Sequence, residues 1–565
     1  MRRIFIVLLL ISALLPLRAV ARLDSARLAD VYGQNMVFNV DPSYDFAMAS
    51  QINATLRVVS NHAYFYVDDR FWNELSSGRA SAVSDKLQQL ATAFDQTIYP
   101  IETALWGAEA NPGIDKDPHV VILLERLRSN SGGYFLTING YRKDIFPDSN
   151  MHEMVYLSAG ALEVGDAPGL LAHEFQHLIS FNQRELSNKA QDEIWLNELR
   201  SDYSPTAVGL NSIFDKSYLE TRMEIFQSDP SDSLVGWNGD SGDYGIVSMF
   251  GHYLVDRYGE KMLAEVSELP EIGISAINHW LSINKKMERF DDVFADWMLA
   301  VVLNNRLYDS RFGYSRIGLN QFHISPQTVV SFTPSEESSI VYTIAEWQPT
   351  WMNVLFTAPP TSKGLEIKIQ PNTGGTWSGK LFARYADGTI RTASIRGDFP
   401  TKISTKSESS SPIQYILVAL TQGTDRRIDD AEAIIYTATL SVSPSDSAEE
   451  DIKDGDLVRK INENDIYVIW GNYRRYIPLK TLALYGMQNR ETREISQEIF
   501  AKYTTSNYIR ADGDKKVYAV WPDGTKHWLN ITAQRWTDSG RDWGSIFTVN
   551  TSELNSYKTG DEIKR

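Results

Sequence analysis

No cysteine occurs anywhere in the 565 residues, and this absence constrains the chain more than any residue it contains. It removes disulfide scaffolds, zinc ribbons, iron–sulfur clusters and thiol nucleophiles together. The folds must be held by apolar cores, and any metal site must be made from His, Asp and Glu. Such cores are within reach, because 43% of the residues are hydrophobic and 11% aromatic; a wholly disordered chain is excluded. At roughly 150 residues per domain, the length predicts three or four domains. The formal net charge of -17 argues against a nucleic-acid partner, since neutralising a phosphate backbone takes a dense basic surface. With only nine histidines in the chain, two placed close together carry weight.

The N-terminus reads as an address. Met1-Arg2-Arg3 precedes an apolar run from Ile4 to Leu15 broken only by Ser12, and Ala19-Val20-Ala21 supplies the small residues of a cleavage site. Residues 1–21 therefore fit a secretory signal peptide cut after Ala21. A run of ~12 residues is shorter than the ~20 that span a bilayer. No later segment is long and apolar enough to do so. The expectation is a secreted or cell-surface chain without a transmembrane anchor. Losing Arg2, Arg3 and Arg18 takes the formal net charge from -17 to -20. Residues 22–60 are a candidate pro-region, although no processing signal marks their end.

Residues 35–305 mix short strands with long helical stretches. Val120–Leu124 and Met154–Leu157 read as buried strands. The second is either a core strand or the edge along which an extended substrate pairs. Asp166 and Pro168 are helix start signals for the apolar-periodic run Leu170–Phe181. Further helices are expected at 193–206, 244–258, 260–268 and 290–304. After Pro326 the period changes to two, as in Leu365-Glu366-Ile367-Lys368-Ile369, and Asp387-Gly388 marks a hairpin turn. Residues 326–442 are expected to form a β-sandwich, and the acidic, polar stretch 443–455 a linker. An internal repeat follows. Leu457-Val458-Arg459, Ile466-Tyr467-Val468 and Trp470 return as Tyr508-Ile509-Arg510, Val517-Tyr518-Ala519 and Trp521 at a shift of 51 residues. Two tandem β-rich repeats, 456–505 and 506–565, account for this, with Glu562–Arg565 resembling the start of a third.

His173-Glu174-Phe175-Gln176-His177 is the one strong chemical motif. Four residues on a helix advance by 400°, so both imidazoles leave one face about a turn apart. From there two ring nitrogens can reach one metal ion at ~2.0–2.1 Å. Glu174 stands beside the first ligand, free to hold a water on that metal. Downstream, Trp195-Leu196-Asn197-Glu198-Leu199-Arg200-Ser201-Asp202 sets two carboxylates four apart on a second helix. Glu198 can serve as third ligand, and Asp202 can accept a hydrogen bond from the far nitrogen of a ligand histidine. A third histidine ligand at position 183 is excluded, because Gln183 stands there.

These two segments resemble the thermolysin-like gluzincin metallopeptidases, and the phrasing Leu171–Ile179 followed by Trp195–Glu198 looks most like the hyicolysin-type secreted peptidases. The resemblance covers about residues 40–310. It implies an α+β zincin-like catalytic domain, residues 22–325, followed by the sandwich and the two repeats. It also implies zinc held by His173, His177 and Glu198, Glu174 as catalytic base, and a protein or peptide substrate. In the implied reaction zinc lowers the pKa of its water to roughly 7 and polarises the scissile carbonyl. Tyr244 is the first candidate for stabilising the oxyanion and His252 the second. One position departs from the family pattern: Leu199 follows the third ligand where a small residue is usual, and its bulk is expected to tighten the cleft.

Three further readings complete the expectation. Asp229, Asp232, Asp240 and Asp243 offer oxygen ligands for a structural calcium ion, or form a solvated loop, since their spacing matches no EF-hand. Trp470, Tyr476, Trp521 and Trp528 suit either the cores of the repeats or a glycan- or wall-polymer-binding surface. The alternative to a secreted zinc endopeptidase is a non-catalytic extracellular surface- or glycan-binding protein on a vestigial peptidase scaffold.

Overall fold

The computed structural model describes residues 29–564 except 130, 188–189, 287, 334–336, 374–375, 397–400, 408, 424–434, 446–451, 461–463, 488–489, 491 and 496. The signal peptide expected at 1–21 and residues 22–28 of the candidate pro-region lie outside the described residues. Six strands build the first sheet: β1 (Asn35–Asn39), β2 (Gln51–Val59), β3 (Ala63–Asp68), β4 (Val120–Glu125), β5 (Gly133–Tyr134) and β6 (Met154–Ser158), in the order β1-β2-β3-β4-β6-β5. β3, β4 and β6 run parallel, whereas β1, β2 and β5 are antiparallel to their neighbours. All six residues of β4 are buried. Val120, Ile122 and Leu124 face one core while Val121 and Leu123 face another, the continuous apolar signature of a strand covered on both sides. β6 pairs on both sides, so it is a core strand and the free edge falls to β5. β1 and β2 lie within the candidate pro-region 22–60, yet Phe38, Ile52, Ala54 and Leu56 are buried in the sheet's second core. From residue 35 onward this stretch is part of the sheet.

Eleven α-helices accompany this sheet among the described residues: α1 (Asp69–Asn73), α2 (Ser77–Ala93), α3 (Tyr99–Trp106), α4 (Ala159–Val164), α5 (Ala167–Ser180), α6 (Ile194–Ala207), α7 (Tyr218–Ser228), α8 (Ser241–Tyr258), α9 (Lys261–Ser267), α10 (Gly273–Ile283) and α11 (Phe290–Leu303). α5 starts where Pro168 suits the first turn. It buries Leu171, Ala172, Phe175, Leu178 and Ile179 against the sheet and α6; a fully buried Leu or Phe contributes roughly 1.5–3 kcal/mol. That burial turns the His173–His177 face towards α6. Leu199 is buried in the contact between α6 and α8. A Cβ on Gly251 of α8 would lie 3.0 Å from the Leu199 side chain, so the glycine makes room for the leucine. Its bulk is taken up between helices, contrary to the expectation of a tightened cleft.

The β-rich part opens at β7 (Thr328–Phe332) and continues through β8 (Ser338–Ala345), β9 (Thr350–Phe356), β10 (Gly364–Pro371), β11 (Trp377–Tyr385), β12 (Ile390–Arg396), β13 (Thr401–Ser404), β14 (Ile413–Gln422) and β15 (Ile435–Ser445). Two facing sheets result, β13-β10-β15-β8 and β12-β11-β14-β9-β7, around one apolar core. β15 runs on to Ser445 because Val442 still points into that core, so the stretch expected as a linker from 443 begins inside a strand. The outer face of the second sheet is covered by α11. Trp347, Trp351, Phe382, Leu417 and Ala419 join the core of the helical part, and the Trp351 indole donates to the Met298 carbonyl at 2.7 Å. Buried Lys380 of β11 pairs with buried Asp296 of α11.

Each C-terminal repeat forms its own five-stranded sheet, one starting at Leu457–Lys460 and the other at Tyr508–Ala511. Both also hold short helices, such as Gln497–Lys502 and Ala533–Asp538. Leu457, Val468, Ile477 and Leu482 of the first share a core with Ile509, Ala511, Phe547, Val549 and Leu554 of the second. Ile563 bridges to Leu529 of the second repeat rather than opening a third sheet among the described residues. Trp470 lies partly buried in the shared core, whereas Tyr476 and Trp521 are exposed. Trp521 stacks on His527 at 3.6 Å, and Lys516 sits over Trp528.

Candidate metal centre

α5 and α6 bring His173, His177 and Glu198 together. The two histidine Nε2 atoms are 3.2 Å apart, and Glu198 Oε2 lies 3.2 Å from the first and 3.5 Å from the second. A tetrahedral ion with ligands at about 2.0–2.1 Å separates them by about 3.3–3.4 Å, so the triangle fits one such ion. Two imidazoles and one carboxylate are the chemistry of a catalytic zinc site with its fourth position open. The site is buried but reachable, with the Glu198 side chain 16% exposed. The charges agree with this reading. The adjacent imidazoles hold the Glu198 carboxyl far below the usual range despite burial, and Glu198 raises His177 against the opposing effect of burial.

Glu174, one residue after the first histidine, is buried. Burial pushes its carboxyl above the ordinary range, with the Glu198 charge adding to this and the two histidines opposing it. Its acid group lies against the free edge of the sheet. A Cβ on Gly133 would stand 2.8 Å from Glu174 Oε1 and 2.7 Å from the Tyr156 carbonyl oxygen. Only glycine lets β5 approach this closely.

The second tier differs from expectation. Asp202 forms no bond to a histidine: its Oδ1 accepts from Tyr218 Oη at 2.7 Å and from Arg222 Nε at 2.8 Å. Its Oδ2 and His173 Nδ1 are each buried without a hydrogen-bond partner. Arg222, four residues beyond Tyr218 on α7, draws the carboxylate away. Ser201 holds His177 instead. Its hydroxyl donates to Gln176 Oε1 at 2.5 Å and accepts from His177 Nδ1 at 3.1 Å, which leaves Nε2 as the donor atom for an ion. Gln176 stands one residue before His177 and Ser201 one turn after Asn197, but nothing local reveals that they meet.

The two oxyanion candidates separate. Tyr244 lies beside the centre, its ring 6.2 Å from that of His173, with the Arg222 guanidinium 4.6 Å from its ring centre. Burial, then Glu198 and Glu174, push its phenol well up, so it keeps its proton. His252 is two turns along α8 and faces away. Its Nδ1 bonds the Ser248 carbonyl at 2.9 Å and its Nε2 the Thr206 hydroxyl at 3.0 Å, in the core beside Tyr203. Burial lowers its pKa to about 4. The sequence reading also missed Tyr44, which stacks on Tyr134 of β5 at 4.5 Å and whose phenol is raised by burial, Asp41, Glu174 and Glu198.

Two histidines and a glutamate from facing helices, with a buried acid next to them, make a candidate mononuclear metallohydrolase centre. No family model matches the chain. The neutral metalloprotease ShpI of Staphylococcus hyicus is 27% identical to it over 217 residues, which cover 33% of this chain and 47% of the relative. The chain is thus related to a metallopeptidase and spans just under half of that relative's length. Among solved structures, the Yersinia pseudotuberculosis-derived mitogen covers 20% of this chain and 92% of its own at 10% identity and a TM-score of 0.15. The infectious bursal disease virus Gx strain structure covers 19% and 32% at 18% identity and a TM-score of 0.10. Likenesses this slight carry no argument. No helix among the described residues is long and apolar enough to cross a membrane.

Proposed function

We propose that this chain is an exported zinc-dependent endopeptidase with Glu174 as its general base. The observation that carries the reading is the triangle of His173, His177 and Glu198 donor atoms with the Glu174 acid beside it. A zinc ion held by those three residues would supply Lewis-acid polarisation of the scissile carbonyl and acidify a water in the open position. Glu174, buried and raised, takes a proton from the attacking water and passes it to the leaving amine; such acid–base help is worth about 10²–10⁴ in rate. The Tyr244 hydroxyl, kept protonated by its surroundings, donates to the oxygen that gathers charge. Ser201 and Gln176 fix the ring of His177. The free edge at β5, hard against Glu174, suits an extended peptide bound through main-chain hydrogen bonds. The name of the Staphylococcus hyicus relative supports proteolysis, and the reading of residues 1–21 supports export.

Zinc content of the purified protein, with casein cleavage measured with and without a chelator, tests the proposal. Zinc near one per chain and chelator-sensitive cleavage are expected. Glu174→Gln is expected to keep the zinc and lose the cleavage; full activity in that variant would refute the assignment.

A further inference from the structure

A cleft of about 840 Å³ opens beside the metal centre. One wall is the chain entering β5, where Ser131 stands two residues before Gly133 and its close approach to the Glu174 acid. A second wall is the start of α5, where Leu170 lies one turn before Glu174 on the same helix face. The third is the start of α7, where Tyr218 also donates to Asp202, one turn beyond Glu198 on α6. All three walls lead to the residues around the histidines. The volume falls within the roughly 300–1,000 Å³ of a specific ligand site.

The charge of the cleft opposes that of the chain. The formal net charge is -17, yet among the described residues three cations, Arg126, Arg128 and Lys216, line the cleft against a single carboxylate, Asp166. Arg126 is held by Glu74 at 2.6 Å. Arg128 and Lys216 are both exposed, and among the described residues neither pairs with a carboxylate. Arg128 Nε donates to the Asp45 carbonyl oxygen at 3.3 Å. The first turn of α5 adds positive potential, because Pro168 and Gly169 line the same space and no side chain caps that helix start. Apolar surface accompanies these charges, with Val164 and Leu210 exposed along the cleft.

We propose that this cleft selects peptide substrates with an acidic side chain close to the scissile bond, and that Arg128 and Lys216 are the residues that set the preference. The inference rests on the peptidase reading and names its substrate class. A carboxylate on the peptide meets two cations that no carboxylate of the protein neutralises, whereas a lysine in the same place meets uncompensated repulsion. An exposed ion pair shifts an equilibrium by up to about fivefold, so two acting together give a preference of about 5- to 30-fold. Charges this open to solvent are screened by salt, because the Debye length shrinks from about 10 Å at 0.1 M to about 3 Å at 1 M.

The test is kcat/KM of the full-length protein on quenched fluorescent peptides of one parent sequence, with Glu, Gln or Lys placed in turn at each position flanking the scissile bond. Glu is expected to exceed Gln by about 5- to 30-fold at one or two neighbouring positions, with Lys the poorest there. Most of that advantage is expected to vanish at about 1 M salt. The double substitution Arg128→Gln with Lys216→Gln is expected to bring the ratio of Glu to Gln within about twofold, with zinc content and melting temperature kept, since both side chains are exposed. Asp166→Asn is expected to raise the ratio. Equal kcat/KM for Glu and Gln at every position, or a ratio undiminished in the doubly substituted protein, would overturn the proposal. Cleavage of none of the peptides would refute the peptidase reading alone, and fluorescence anisotropy with the same peptides then decides the cleft. Tighter binding of the Glu peptide, lost in the doubly substituted protein, would sustain the acidic preference, and equal binding of the Glu and Gln peptides would overturn it.

Discussion

Replacing Gly133 by alanine places a methyl group between β5 and the acid of the centre. The new Cβ would stand 2.8 Å from Glu174 Oε1, 2.9 Å from its Cγ and 2.7 Å from the Tyr156 carbonyl oxygen. Ordinary contact begins near 3.4 Å, so the carboxylate must retreat by about 0.6 Å, or the strand must leave its neighbour. The Tyr156 oxygen belongs to the interior strand β6 and gives little, which directs the strain onto Glu174. Misplacing a reacting group by about 1 Å costs on the order of 10²-fold in rate, so a 10- to 100-fold fall in kcat is expected, with bound zinc unchanged. Overpacking is also expected to cost about 1–3 kcal/mol of stability. The assay is steady-state cleavage of a quenched fluorescent peptide, with zinc content and a denaturant midpoint measured on the same preparation. Gly132→Ala is the matched control. The three atoms nearest its Cβ all belong to the Leu170 side chain, Cδ2 at 2.6 Å, Cδ1 at 3.3 Å and Cγ at 3.5 Å, a side chain that can rotate, so it should lose much less. A folded Gly133→Ala protein with undiminished kcat, or a Gly132→Ala protein equally impaired, would refute the reasoning.

Other expectations follow from the same geometry. Ser201→Ala leaves His177 Nδ1 without its partner and should weaken zinc binding 10- to 100-fold, read by competition with a chromogenic chelator; unchanged affinity would mean that Ser201 does not orient the ring. Glu553→Ala strands Arg475, buried and bonded to it at 2.6 Å, and should destabilise the paired repeats by about 3–5 kcal/mol in chemical denaturation. Glu125, buried at the end of β4, has its carboxyl pushed up to about 8 by burial, against the effect of the Tyr134 hydroxyl bonded to it. The folded state therefore keeps a proton that the unfolded chain releases above about pH 4.5. Stability falls as pH rises from there to about 8, by at most about 1.4 kcal/mol per unit. Glu125→Gln should flatten that slope in denaturant midpoints taken between pH 5 and 8, and an unaltered slope would contradict the assignment.

What the sequence reveals of this site is what one helix can carry. Histidines four apart share a face on any helix, and Glu198 repeats the logic one helix later, so the donor set was legible before any packing was known. Residues joined only by packing were not. Asp202 looked free for a histidine, but Tyr218 and Arg222, spaced one turn apart on α7, claim it from 16 and 20 positions away. Tyr244 and His252 occupy one helix eight residues apart, about 80° around its axis. Periodicity does not say which faces the centre, and the packing of α6 on α8 decides it. The helical frame followed expectation to within a residue at α6, α9 and α11, whereas α5 and α8 each begin three residues before the expected runs. The strands β1 and β2 were harder to place, because their role depends on partners across a sheet whose register no local pattern states.

The paired repeats carry one further consequence. Glu553 of the second accepts from Arg475 and Tyr485 of the first as well as from Tyr557 of its own, and the apolar residues between them form one body. In a solenoid every unit offers its successor the same surface, so units can be gained or lost. Here duplication has produced two unlike halves that consume each other's sticky faces, much as the subunits of a closed dimer do. Inserting another copy between them would separate Arg475 from Glu553 and leave both charges stranded. The pair is therefore expected to unfold as one cooperative unit, and deleting either half would strand the other's apolar face and its buried charge.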